Sequence, residues 1–155
     1  MQAVVVGAEL LRVIGMRVAA AELTCLGDVL QAQEYASLYL STRNQIADKR
    51  GPVPSLNIKG EMSQWRFLSL QLDHPDKHDL QLYLIGERRQ NSLITMTSCV
   101  QAVDMREGLV RTNNSVYRLR LDQPGVGEPP LEHLVMVCRM LHEWGLGQAF
   151  NVPRI

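Results

Sequence analysis

The stretch Leu68–Leu84, LSLQLDHPDKHDLQLYL, decides the fold class. Leu68, Leu70 and Leu72 alternate with Ser69 and Gln71, and Leu80, Leu82 and Leu84 alternate with Gln81 and Tyr83. A period of two belongs to strands, whose successive side chains point to opposite faces. Between the runs lies HPDKH, His74–His78, a turn built on Pro75 and Asp76. Such alternation predicts an antiparallel sheet with one face buried and one face wetter.

The same period extends from about Leu56 to Leu121. Ile94, Met96, Ser98, Val100 and Ala102 alternate with Thr95, Thr97, Cys99 and Gln101, and Tyr117, Leu119 and Leu121 alternate with Arg118 and Arg120. Asp104–Gly108 (DMREG) reads as a turn. Asn113-Asn114 reads as a two-residue hairpin loop, because Asn tolerates positive φ. After the Pro- and Gly-rich segment DQPGVGEPP, the run Pro129–Gly145 (PPLEHLVMVCRMLHEWG) turns helical. Glu132, Arg139 and Glu143 share one narrow polar stripe. Leu134, Val137, Cys138 and Leu141 lie opposite, with Met136, Met140 and Trp144 on one flank and Leu131 and Val135 on the other. A helix apolar around so much of its circumference needs cover on two sides.

Residues 1–50 also read as helical. Leu10, Leu11, Ile14, Val18 and Ala21 share one arc, although Gly7 and Gly15 interrupt the region and Ala3–Val6 also suits a short strand. A second helix starts at Asp28, an N-cap with Gln31 three residues on. Its apolar face holds Val29, Ala32, Ala36, Tyr39 and Ile46, and DKRGPVP (Asp48–Pro54) ends it. The order is α-α-β-β-β-β-β-α. We therefore expect one α+β domain spanning 1–155, with a helical part at 1–50. An antiparallel meander of about five strands follows at 56–122, and a C-terminal helix at 129–146. Both N-terminal helices and the C-terminal helix pack on the sheet's apolar face.

The 155 residues suit one domain. Sixteen basic and sixteen acidic side chains cancel, which argues against a general polyanion binder and leaves room for a local basic patch. Cys25, Cys99 and Cys138 are odd in number and widely spaced. They read as free thiols of a reducing compartment rather than a disulfide framework or zinc site. Gln2–Ala21 is apolar but broken by Glu9, Arg12 and Arg17, so no bilayer span is expected. These readings point to a soluble cytoplasmic protein.

Few residues suggest chemistry. Cys138 and His142 stand four apart on the terminal helix, where a thiol and an imidazole can meet. Asp73, His74, Asp76, His78 and Asp79 crowd one turn without a frame that aims the two imidazoles inward. No phosphate-binding glycine loop or serine-nucleophile motif occurs, so no cofactor and no metal are expected. Met136, Val137, Met140 and Trp144 are the candidates for a protein contact, either with a second copy in a homodimer or with another protein. Arg88, Arg89, Arg111, Arg118 and Arg120 are the candidates for nucleic-acid contact on an open sheet face. Arg43, Lys49, Arg50 and Lys59 form a separate basic cluster. The expected function is non-catalytic: binding or inhibiting a protein partner, as accessory factors of bacterial mobile elements do. A nucleic-acid-binding regulator is the alternative, and an enzyme using Cys138 and His142 the third.

Overall fold

The computed structural model describes residues 23–30, 34–74 and 77–155. Alternation does produce strands. These are β1 (Ala36–Leu40), β2 (Ile58–His74), β3 (Lys77–Arg88), β4 (Leu93–Met96), β5 (Val100–Asp104), β6 (Leu109–Thr112) and β7 (Val116–Leu119). Among the described residues two α-helices accompany them: the one-turn α1 (Arg43–Ala47) and α2 (Leu131–Glu143). All seven strands join one sheet in the order β4-β3-β2-β7-β6-β5, with β1 also paired to β2.

The long strand β2 organises this sheet. Its whole C-terminal part pairs antiparallel with β3, down to His74 opposite Lys77. On its other edge, Leu68–Leu72 pair antiparallel with β1, whereas Ile58–Met62 pair parallel with β7. The sheet is therefore mixed, which overturns the antiparallel meander. The parallel contact joins segments almost sixty residues apart, and local alternation carries no trace of it.

The register corrects a second expectation. Leu68 stands opposite Tyr83, Ser69 opposite Leu82 and Phe67 opposite Leu84. Paired residues share a face, so the leucine row of β2 and the leucine row of β3 point to opposite sides. Leu68, Leu70, Tyr83 and Ile85 form one core with α2. Phe67, Leu82 and Leu84 form another with Val100, Val103, Val110, Tyr117 and Leu119. The hairpin thus has no wet face along these positions.

A bulge reconciles the long strand with both cores. Between Ser63 and Arg66 β2 carries one residue more than β3, and Gln64 takes a φ of +51°. The extra residue reverses the facing pattern, so Met62 joins Phe67 in the second core. Gly86 lies against this kink. A Cβ there would stand 3.0 Å from the Ser63 carbonyl oxygen and 3.2 Å from the Trp65 Cα.

The run Ile94–Ala102 is not one strand. It breaks at Thr97–Cys99 into β4 and β5, which occupy opposite ends of the strand order. Only three residues separate them, so the sheet curls until its two ends approach. The Thr97 N–H donates to the Leu84 carbonyl (2.8 Å) and the Asn113 N–H to the Cys99 carbonyl (3.0 Å), which tie the crossover down.

The N-terminal expectations divide. The helix drawn through Leu10–Ala21, with its strand alternative at Ala3–Val6, lies outside the described residues. The helix drawn from Asp28 to Ile46 is absent. In its place are a 3-10 turn at Leu26–Asp28, β1 and α1. Asp28 caps this turn from its end, accepting from the Thr24 N–H and hydroxyl, each at 2.9 Å. Ala36 and Leu38 enter the core as strand residues because the edge of β2 offers unpaired backbone groups there. The two-helix N-terminal layer and the α+β description fall together. The fold is mostly sheet, with α2 its one helix of several turns among the described residues.

α2 forms where periodicity places it, with Pro130 as its N-cap. Its buried face is His133, Leu134, Val137, Cys138 and Leu141. Leu23, Leu26, Val29 and Leu30 pack into the same cluster. From the tail, Leu146, Phe150, Val152 and Ile155 close over it too. Trp144 stacks on Tyr83 at 4.9 Å between ring centres. Of the three expected turns, the one built on Pro75 and Asp76 lies outside the described residues, and the other two positions hold. Asp104 pairs with Leu109 around a turn in which Asp104 Oδ1 accepts the Glu107 N–H (3.2 Å). Thr112 and Ser115 close the Asn113-Asn114 loop, though neither Asn has positive φ. No helix of the described residues is long and apolar enough to cross a membrane.

Candidate functional site

α1 is short, and side-chain bonds fix where it lies. Thr42 and Gln45 cap it reciprocally: Thr42 Oγ1 accepts the Gln45 N–H (3.2 Å) and Gln45 Oε1 accepts the Thr42 N–H (2.9 Å). The same Gln45 donates to the Tyr39 hydroxyl (2.8 Å) and accepts from the buried Ser69 hydroxyl (2.7 Å). α1 is therefore anchored to β1 and β2. Beyond it the chain runs alongside β5, where the Val103 N–H donates to the Lys49 carbonyl (2.9 Å) and the Gly51 N–H to the Val103 carbonyl (3.1 Å). This pairing covers the free edge of β5.

Between α1, the 50–52 segment and the β5–β6 turn opens a cleft of about 900 Å³. Ile46, Ala47, Pro52, Val103 and Met105 give it an apolar lining. Arg43, Arg50 and Arg106 stand around it, with Asp104 as the one carboxylate among the described residues. Asp104 is engaged within its own turn. None of the three guanidinium groups forms an ion pair among the described residues. The arrangement suits an occupant that is apolar in its body and anionic at its edges. Arg43 and Arg50 belong to the basic cluster visible in the sequence. In the sequence Met105 and Arg106 read only as parts of the DMREG turn, and the structure places both at the cleft, Met105 exposed.

The sheet-face arginines do not make one open basic surface. Arg89 Nη1 meets Glu61 Oε1 at 3.1 Å, and Arg120 Nη1 meets the same oxygen at 3.3 Å. Arg120 also pairs with Asp122 through Nε (3.1 Å). Arg88 turns away and donates from Nη2 to the Lys59 carbonyl (2.9 Å). Arg118 lies half-buried beside Glu61 in the β2–β7 register, while Arg111 is exposed on β6.

The terminal-helix candidates divide by depth. Val137 is fully buried, whereas Met136, Met140 and Trp144 are half-buried against the first core. The Cys138 thiol is fully buried, and burial pushes its pKa up to about 11, so it stays protonated at neutral pH. His142 bonds through Nε2 to the Val152 carbonyl (2.9 Å), fastening the tail to α2. At the acidic turn, Asp73 pairs with His78 and Leu72 with Asp79 in the ladder. No group of three metal-ligating side chains converges among the described residues.

A buried polar cluster also lies at the start of α2. Arg66, though buried, donates to the carbonyls of Gly127 (2.8 Å), Val126 (3.1 Å) and Gln64 (3.4 Å), clamping the loop that leads into the helix. Burial lowers the His133 pKa, and Arg66 pushes the same way. Glu87 and Glu132 pull it back, with Glu87 Oε2 at 3.7 Å from His133 Nε2. The balance leaves the imidazole neutral at neutral pH.

Comparison with protein-family models, curated proteins and solved structures finds no match to this chain.

Proposed function

We propose that this chain is a non-catalytic binding domain that docks an acidic segment of a protein partner into the cleft between α1 and the β5–β6 turn. The observation that carries this reading is three arginines around an apolar lining, none of them ion-paired among the described residues. Guanidinium groups bind carboxylates through paired N–H donors, and the apolar lining adds affinity once water is expelled. A charged rim chiefly raises association rate and selects for the opposite charge, so binding should weaken as salt rises. The alternative of a nucleic-acid partner on the sheet face is disfavoured by Glu61 and Asp122, which neutralise Arg89 and Arg120.

The test is fluorescence anisotropy with labelled peptides alternating Glu or Asp with Leu, against the same peptides with Lys for each acid, and against a DNA duplex. The acidic peptides should bind in a salt-sensitive way, and the triple change Arg43→Glu, Arg50→Glu and Arg106→Glu should abolish binding while leaving the melting temperature nearly unchanged. Equal binding of the basic peptides, or binding of the duplex alone, would overturn the reading.

A further inference from the structure

A second cavity, of about 300 Å³, opens on the opposite rim of the sheet. It lies between the 97–99 crossover, the Asn113-Asn114 turn and the flank of α2. Its size is at the lower end of the roughly 300–1,000 Å³ typical of small-ligand sites. Lys59 and Arg88 both line it, and no carboxylate does among the described residues. Hydroxyl and amide groups, including Ser98 and Asn114, supply most of the remaining polar wall, and Met136 and Met140 close one side.

Two buried atoms of its lining residues have no hydrogen-bond partner among the described residues. Arg88 Nε and Ser98 Oγ are buried without a hydrogen bond. Leaving a buried donor unmet is a net cost to the fold. Both atoms belong to residues that line one small cavity, beside the Lys59 cation, so an anion entering it could complete their hydrogen bonds. The arginine is held there by the backbone. Its Nη2 donates to the Lys59 carbonyl (2.9 Å), and its Nε lies 2.9 Å from where a Cβ of Gly60 would stand. Only a glycine at position 60 lets the guanidinium lie so close to β2. Both unmet atoms are screened from solvent, so a ligand engages them after a rotamer change at Ser98 or a methionine, each a low-barrier motion.

We propose that this cavity binds a small oxyanion, a phosphate group held by Lys59, Arg88 and Ser98. Phosphate oxygens match the arginine donors and accept from hydroxyl groups, and the uncompensated positive charge selects an anion over a neutral polar molecule. The methionine side gives room for a short aliphatic body attached to the phosphate. The site is separate from the arginine cleft and stands whether or not that cleft binds a peptide.

The experiment is a titration of the whole chain with inorganic phosphate and with glycerol 3-phosphate, followed by amide chemical shifts, with glycerol as the neutral control. Shifts should cluster at Thr95–Ser98 and Asn113–Ser115. Arg88→Gln should weaken binding about tenfold, and Ser98→Ala by severalfold. Ser98→Ala removes an unmet hydroxyl, so it should fold as well as the parent and keeps the test decisive if Arg88→Gln is unstable. Arg50→Gln, in the other cleft, should leave phosphate binding unchanged. Tighter binding of the ester assigns the site to an organic phosphate, and equal binding assigns it to the free anion. The proposal is overturned if neither anion shifts these amides, if glycerol shifts them equally, or if Ser98→Ala binds phosphate as the parent does.

Discussion

The two faces of the β2–β3 hairpin are covered by different means. On one side lie α2, the 23–30 segment and the C-terminal tail, all single passes of chain packed on Leu68, Leu70, Tyr83 and Ile85. On the other, the sheet covers itself: β5, β6 and β7 curl over Phe67, Leu82 and Leu84. The first cover can be peeled element by element, whereas the second is bound by ladder hydrogen bonds and comes away only with the sheet. Both covers end at rims, and the two clefts lie there. The arginine cleft borders the self-covered side, and the phosphate-sized cavity borders the helix side.

The largest expected effect breaks this pairing of faces. Leu68→Ala and Leu84→Ala should each cost about 2–5 kcal/mol in denaturant unfolding, since both side chains are fully buried, on opposite faces. Leu80→Ala continues the β3 row where it is 39% exposed, and should cost below about 1 kcal/mol. If either buried leucine were replaceable at the cost of Leu80, one face would be open. Next in size is Gly86→Ala, at about 1–3 kcal/mol, because its Cβ would press on backbone at the bulge that turns Met62 into the second core. A smaller effect separates the covers by pH. His133 sits on the buried face of α2 with its pKa lowered from the usual 6.5, chiefly by burial. The unfolded chain then binds the proton more readily than the folded one. Stability is full above about pH 6.5 and falls as the pH drops below it towards the depressed native value. Asp28 and Asp122, also lowered, titrate below 3.8 and leave this window clear. Melting temperatures between about pH 7.5 and 5.5 should therefore decline, and His133→Gln should flatten the decline.

Local pattern carried much of this fold. The α2 face, the turn at Asp104–Gly108 and the Asn113-Asn114 loop were legible because each depends on neighbours in sequence. Alternation identified Leu68–Leu72 and Leu80–Leu84 as strands, yet not that they face apart. That depends on whether paired positions are an odd or an even number of residues apart in sequence. Ala36–Leu40 satisfied a helical wheel through Ala32, Ala36 and Tyr39 while also alternating as a strand, and the open edge of β2 decided between them. The break at Thr97–Cys99 was hidden because alternation continues through a crossover. Among site residues, Arg43 and Arg50 were visible as a basic cluster. Arg106 joins them only through the pairing of Arg50 with Val103, a contact fifty residues long. Lys59, Arg88 and Ser98 were three unrelated readings until the sheet curled.

The register of the hairpin carries the rest, and nuclear Overhauser contacts between β2 and β3 read it directly. Ser69 should contact Leu82 across the ladder and Phe67 should contact Leu84, placing the two leucine rows on opposite faces. Cross-strand contacts of Leu70 with Leu82 and of Leu68 with Leu84 would instead put both rows on one face. That result would expose the other side of the hairpin and contradict the two-core architecture on which both clefts depend.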